Sequence, residues 1–196
     1  GVTAEAEILL LLINACREMG LTDAEFRIFL NDRRILNSIL EKIEVPPNLH
    51  DSVLVIMDKR DKVSPENFSE MLVESGMNSS QVEQLKEHLA IPELESLSKL
   101  LPDCEGITAL QELSELINIS GFSSYIQFDV SIVRGLSYYT GPVFEMNHPQ
   151  KSHRAICGGG RYDSLLSTYG GETIPAVGFG SVSYTHLTLP TRKLVL

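Results

Sequence analysis

Arg134-Gly135-Leu136-Ser137-Tyr138-Tyr139-Thr140-Gly141, continuing into Pro142-Val143-Phe144-Glu145-Met146, and shortly after it Cys157-Gly158-Gly159-Gly160-Arg161-Tyr162-Asp163, are the runs on which the reading of this chain turns. Apolar residues alternate just before the first run, at Ile126, Phe128, Val130 and Ile132. That two-residue period predicts a strand that delivers an arginine, paired tyrosines and a glycine turn. The residues from Pro142 predict a second strand. The later run predicts strand, glycine turn and then a helix over residues 162–169. Adjacent glycines let backbone approach a ligand with no Cβ in the way and reach φ values that other residues avoid. An anion or a nucleotide suits such an arrangement.

Taken singly, these features have ordinary explanations. An arginine at a strand end is commonly solvated or ion-paired, and a tyrosine pair is commonly core plus rim. Their joint occurrence, in this order, is what points to a site.

Working outward toward the N-terminus, residues 4–19 predict a helix closed by Gly20, a common C-cap residue. Residues 26–30 predict a short strand, although Thr22 and Glu25 have the spacing of a capping box for a helix across Phe26. Asn31 and Asp32 can cap a helix over residues 33–43, which Pro46 and Pro47 are expected to stop. Residues 49–62 are helical in pattern, with Val53, Ile56 and Met57 on one face.

From residue 63 to 118 strand signals are absent. Ser64 and Pro65 make a good helix start, and helices are expected over residues 66–74, 80–89, 93–100 and 107–117. This stretch holds eleven acidic residues against two basic ones, Lys86 and Lys99, so it carries nearly all of the chain's formal net charge of −10. A polyanion would be repelled by its average surface. Lys59, Arg60 and Lys62, just before it, are better basic candidates, unless they are simply a solvated helix end.

At 196 residues and 43% hydrophobic content, the chain is long enough for one domain, or one with a small insert. The apolar run from Ile8 to Ile13 is far too short for a membrane span and follows no basic leader. Cys16, Cys104 and Cys157 are scattered without CxxC spacing, which suits reduced thiols and argues against a zinc site. The five histidines (His50, His88, His148, His153, His186) show no metal-ligand spacing.

Residues 134–145, 158–163 and 175–179 resemble, in order and spacing, the signature runs of the histidyl-tRNA synthetases, a family of class II aminoacyl-tRNA synthetases. The departures are Ser137, where the family usually has Asp, and everything after Gly180. The resemblance implies an α+β fold: part of the class II antiparallel sheet flanked by helices, with an all-helical insertion. It places catalytic core at residues 1–62 and 119–182 and the insertion at 63–118. It gives Arg134 the catalytic role, because a fixed guanidinium can stabilise the negative charge that grows when a carboxylate attacks the α-phosphate of ATP. Histidine binding falls to Tyr138, Tyr139 and Tyr162, whose hydroxyls can donate or accept, and to Gly158, Gly159 and Gly160 as the pocket wall. Glu145, Arg161 and Thr140 are implied as further substrate contacts.

The same resemblance implies histidine, ATP with Mg2+ as a substrate complex, and tRNA(His). It also implies a homodimeric full-length parent, a cytoplasmic location away from membranes, and no metal held by protein ligands. Motifs 1 and 2 of the family would precede Gly1, and motif 3 would continue from Gly178 into a helix bearing an arginine. Residues 183–196 do not follow that pattern and are read as a non-native tail, so the 196 residues alone are expected to be inactive. The regulatory subunit of ATP phosphoribosyltransferase, a non-catalytic paralogue, carries versions of the same runs. Arg134 and the sizeable helical stretch favour the synthetase, because a paralogue freed from catalysis has no chemical need for that guanidinium.

Overall fold

Helix α1 (Thr3–Glu18) opens the chain and buries Leu9, Leu12, Ile13 and Cys16 along one stripe. Gly20, at φ +87°, ends it: Leu21 N–H reaches back to Cys16 O and Gly20 N–H to Arg17 O, a Schellman closure. The computed structural model describes residues 1–151 and 155–181. The expected non-native tail therefore lies outside the described residues.

Strand β1 (Arg27–Asp32) follows as expected. Thr22 and Glu25 do bond, Thr22 N–H and Oγ1 both donating to Glu25 Oε2, but they close a turn ahead of the strand and start no helix. Asp32 caps α2 (Arg33–Lys42) by accepting from Arg34 N–H at 2.9 Å. The end of α2 corrects the expectation about the prolines. Glu44 at φ +58° closes the helix, with Val45 N–H bonded to Leu40 O, and Pro46 and Pro47 instead begin α3 (Pro47–Met57). A proline at the first helical position loses no hydrogen bond there. Residues 60–62 are a separate 3-10 turn, so the long helix expected to residue 62 stops at Met57.

Four helices follow as read from the sequence: α4 (Pro65–Glu74), α5 (Ser79–Leu89), α6 (Leu94–Leu100) and α7 (Glu105–Ile119). Ser64 and Asn78 cap α4 and α5. Helix α7 packs along α1, α2, β1 and β3 (Pro142–Asn147). The chain then forms β2 (Ile126–Phe128), β3, β4 (Cys157–Arg161), the single turn α8 (Leu165–Thr168) and β5 (Val177–Ser181).

Five strands make one sheet in the order β2-β1-β3-β4-β5. The expectation of an antiparallel sheet holds for β1, β3, β4 and β5, but β2 runs parallel to β1. Parallel neighbours require a long crossover, and α2 to α7 supply it.

Three further corrections concern the signature runs. The strand expected through Ile132 stops at Phe128, because the carbonyls of Val130 and Ile132 are taken by the Asn31 side chain (2.8 and 2.9 Å) and not by a ladder. Gly158, Gly159 and Gly160 form the middle of β4 and not a turn, and none has a positive φ. The helix expected over residues 162–169 shrinks to α8, since Tyr162 N–H is bonded to Ala176 O and Gly170 turns the chain at φ +83°.

The main core lies between the helices and one sheet face, where Ile28, Leu30, Phe144, Met146 and Cys157 meet α1, α2 and α7. The opposite face carries a small separate cluster of Phe29, Ile132, Tyr139 and Val143, with Tyr138 and Tyr162 packed against it.

Candidate active site

Strands turn successive residues to opposite faces, so register sorts the candidates. Val143 pairs with Gly160 and Glu145 with Gly158, while Gly160 pairs with Gly178 and Gly158 with Gly180. Those four glycines form a side-chain-free floor on the face away from the helices. Side chains from elsewhere occupy it. A Cβ at Gly158 would lie 2.3 Å from Arg134 Nη1, one at Gly160 2.9 Å from Tyr139 Cδ1, and one at Gly178 2.5 Å from the Tyr162 hydroxyl. Among the described residues, a Cβ at Gly180 would meet nothing within 4 Å, so they leave the floor open there.

Arg134 sits in a left-handed conformation, φ +53°, uncommon for a residue with a side chain. Its guanidinium lies over Gly158 and donates to Glu145 Oε1 at 3.1 Å, and its buried Nε has no partner among the described residues. The tyrosines form a three-ring cluster, with centroids 4.7 Å apart for Tyr138 and Tyr139, 6.0 Å for Tyr138 and Tyr162, and 6.5 Å for Tyr139 and Tyr162. Burial, with a smaller push from the Tyr138 hydroxyl, drives the Tyr139 pKa up to about 12, so this phenol stays protonated and can donate. Beneath the floor, burial also drives the Cys157 thiol up to about 12, which makes it an inert core residue.

The loop between β2 and β3 has little regular structure, yet its backbone is held from several sides. Asn31, fully buried on β1, binds two of its carbonyls, and Asp129 N–H continues the pairing to Leu30 O. Asp129 accepts from Ser131 at 2.9 Å and pairs with Lys151, whose ammonium also lies 4.5 Å from the Phe29 ring centroid. Burial alone would raise the Asp129 pKa, but the bonds from Lys151 and Ser131 outweigh it and hold the carboxyl below its usual value. Arg33 donates to Leu136 O, and Asp58 accepts from Gly135 N–H at 3.0 Å. Asn31, Arg33, Asp58 and Asp129 were not singled out from the sequence as site residues. The one legible sign was an asparagine directly after the apolar run Ile28-Phe29-Leu30 of β1.

Arg134, Glu145, Tyr138, Tyr139, Tyr162, Gly158 and Gly160 are therefore brought together on one face. Gly159 alternates to the helix side, where an added Cβ would lie 2.1 Å from Gly178 O. Arg161 also projects toward the helices, binding Glu5 Oε2 at 2.8 Å and Asp163 Oδ1 at 3.0 Å. Thr140 closes the turn beside it, its hydroxyl accepting from Asp163 N–H at 3.1 Å. A cavity of about 420 Å³ on that side is lined by Arg34, Arg161, Glu105 and Glu112 among others, but both arginines already face carboxylates.

A family model described as Histidyl-tRNA synthetase matches residues 1–185. The chain is 41% identical over 180 residues to the chloroplastic/mitochondrial histidine–tRNA ligase of Arabidopsis thaliana, covering 91% of this chain and 37% of that protein. It is 34% identical over 183 residues to the histidine–tRNA ligase of Haloarcula marismortui, covering 90% and 42%. Among solved structures, histidyl-tRNA synthetase from Nostoc sp. PCC 7120 superposes with a TM-score of 0.80 at 25% identity, over 91% of this chain and 44% of that one. An ATP phosphoribosyltransferase regulatory subunit/histidyl-tRNA synthetase from Bacillus halodurans C shares the fold, with a TM-score of 0.76 at 24% identity over 92% and 48%. The chain thus spans less than half the length of these relatives. On the family match and the sequence identity together, the chain belongs to the histidyl-tRNA synthetase family.

Proposed function

We propose that this chain carries the histidine pocket and one phosphate-stabilising arginine of a histidine–tRNA ligase, which activates histidine with ATP and transfers it to tRNA(His). The observation that carries the reading is the guanidinium of Arg134 laid over the glycine floor beside the three tyrosines. In this reading Arg134 exchanges its Glu145 contact for substrate oxygens and stabilises the charge that develops at the α-phosphate. Tyr138, Tyr139 and Tyr162 read the imidazole and amino group, and Tyr139, held protonated, acts as a donor. The open floor at Gly180 leaves room for the rest of the adenylate. Magnesium enters with ATP as part of the substrate.

Residues 1–62 and 119–182 would then be catalytic core and 63–118 the helical insertion, with α7 leaning on the sheet. Arg161 and Thr140 support the pocket from behind by holding α1 and the turn in place. A homodimeric, cytoplasmic class II enzyme is the assembly this reading implies.

The test is exchange of labelled pyrophosphate into ATP by the complete gene product that contains this chain. Histidine alone among the amino acids should drive exchange, and Arg134→Ala should lower it by on the order of a hundredfold or more. A folded protein that shows no histidine-dependent exchange and instead binds the catalytic subunit of an ATP phosphoribosyltransferase would overturn the proposal.

A further inference from the structure

The residue after Arg134 is tied to a part of the molecule remote in sequence. Asp58 Oδ1 accepts the Gly135 N–H at 3.0 Å across 77 residues, and an added Cβ at Gly135 would lie 3.1 Å from the Asp58 carboxyl carbon. The fit is tight, so a side chain at residue 135 would have to push the Asp58 carboxylate back by a few tenths of an ångström. Asp58 is the C-cap of α3, where a negative charge faces the negative end of the helix. Local preference therefore argues against an aspartate there, and Lys62, 3.0 Å away, offsets that cost only in part.

Beside this contact, Arg33 donates to Leu136 O at 3.3 Å. Gly135, Leu136 and Ser137 are exposed. Arg134 takes a left-handed φ, and its carbonyl is bonded by Leu136 N–H at 2.7 Å around Gly135. An amide held at Gly135 sets the peptide plane immediately after Arg134, and with it the direction in which the arginine leaves the backbone.

We propose that Asp58 is a positioning residue for Arg134: its carboxylate holds the Gly135 amide and so keeps the guanidinium over Gly158. The proposal rests on the functional reading above. It also places the control of that arginine at the junction with the helical stretch that begins at residue 63, since Asp58 is shared between Gly135 and Lys62.

The experiment is histidine-dependent pyrophosphate exchange with the complete gene product, alongside thermal unfolding, for Asp58→Ala, Asp58→Asn, Gly135→Ala and the Asp58→Ala/Gly135→Ala double variant. A displaced arginine should lower kcat by about tenfold to a hundredfold in Asp58→Ala, with the KM for histidine nearly unchanged. Asn keeps an oxygen acceptor and should restore most of the rate. Gly135→Ala should impair the wild type by pushing against the carboxylate, yet add little when that carboxylate is gone, since the two changes act on one contact. Amide hydrogen exchange at Gly135 gives a readout independent of activity and should quicken in Asp58→Ala. Unchanged kcat in Asp58→Ala, failure of Asn to rescue, costs of the two changes that multiply, or unchanged Gly135 protection would each overturn this inference while leaving the functional reading intact. A wild type inactive with histidine would overturn that reading and the inference together.

Discussion

Gly158 and Gly159 are neighbours in β4, but alternation gives them unlike surroundings. A methyl group at Gly158 would meet the far end of the Arg134 side chain, which can swing aside. One at Gly159 would meet the backbone of β5, at Gly178 O and the Phe179 Cα, which cannot move without parting the strands. Gly158→Ala should therefore keep nearly wild-type thermal stability while losing at least about a hundredfold in histidine-dependent exchange, because the guanidinium is displaced by more than an ångström. Gly159→Ala should instead cost about 1–3 kcal/mol or more in denaturant unfolding. Equal stability losses in the two variants would contradict this assignment of faces. The glycine run was legible as a place of close approach. What approaches it turned out to be the protein's own arginine and tyrosines, a fact set by strand register that no local pattern encodes.

At the level of elements, the helices were the most readable part of the chain, because caps and periodicity are local. Asn78 and Gln81 form a reciprocal capping box at the start of α5, as their spacing allows. Gln81 does more than cap, since its side-chain nitrogen also donates to Ile43 O at 3.2 Å and Glu44 O at 2.8 Å, tying α5 to the left-handed end of α2. Asn78→Ala should cost about 1 kcal/mol in urea unfolding, the usual value of an N-cap. Gln81→Ala should cost more, about 2 kcal/mol, because two carbonyls lose a partner as well. The reverse order would show that the tether to α2 contributes nothing. Elements defined by distant partners were read less well. Strand β2 ends early because Asn31 captures the carbonyls that a longer strand would use, and the glycines of β4 predict a turn, as adjacent glycines usually do, where register makes them strand.

Across the whole molecule, an ion pair at 156 residues' separation latches α1 to the sheet. Arg161 on β4 reaches Glu5 on α1, whose side chain is only 1% exposed, and Asp163 completes the set. Removing the arginine would leave a carboxylate buried without its counter-charge, a loss of about 3–5 kcal/mol. Arg161→Ala should show this in chemical denaturation, and the paired Glu5→Leu/Arg161→Leu variant should recover much of it, because replacing both partners leaves no orphaned charge. A double variant as unstable as Arg161→Ala would refute the latch. Strand alternation puts Arg161, sequence-adjacent to Tyr162, on the helix side of the sheet, where this contact is available to it.

By itself the sequence determined where α1, α2 and α4 to α7 lie and the strands at β1 and β3, since each follows from capping groups or periodicity within a short window, while the α+β class and the residues worth suspecting followed from the resemblance of the signature runs; it did not determine where α3 and α8 end. Only the tertiary structure decided that β2 lies parallel to β1, that the glycines form a floor for Arg134 and the tyrosines, and that Asn31 and Asp58 hold the loop from behind. Those outcomes depend on strand register and on hydrogen bonds between residues 77 or more positions apart, and such hydrogen bonds exist only once the helical crossover has closed and brought β1 together with the strands that follow α7.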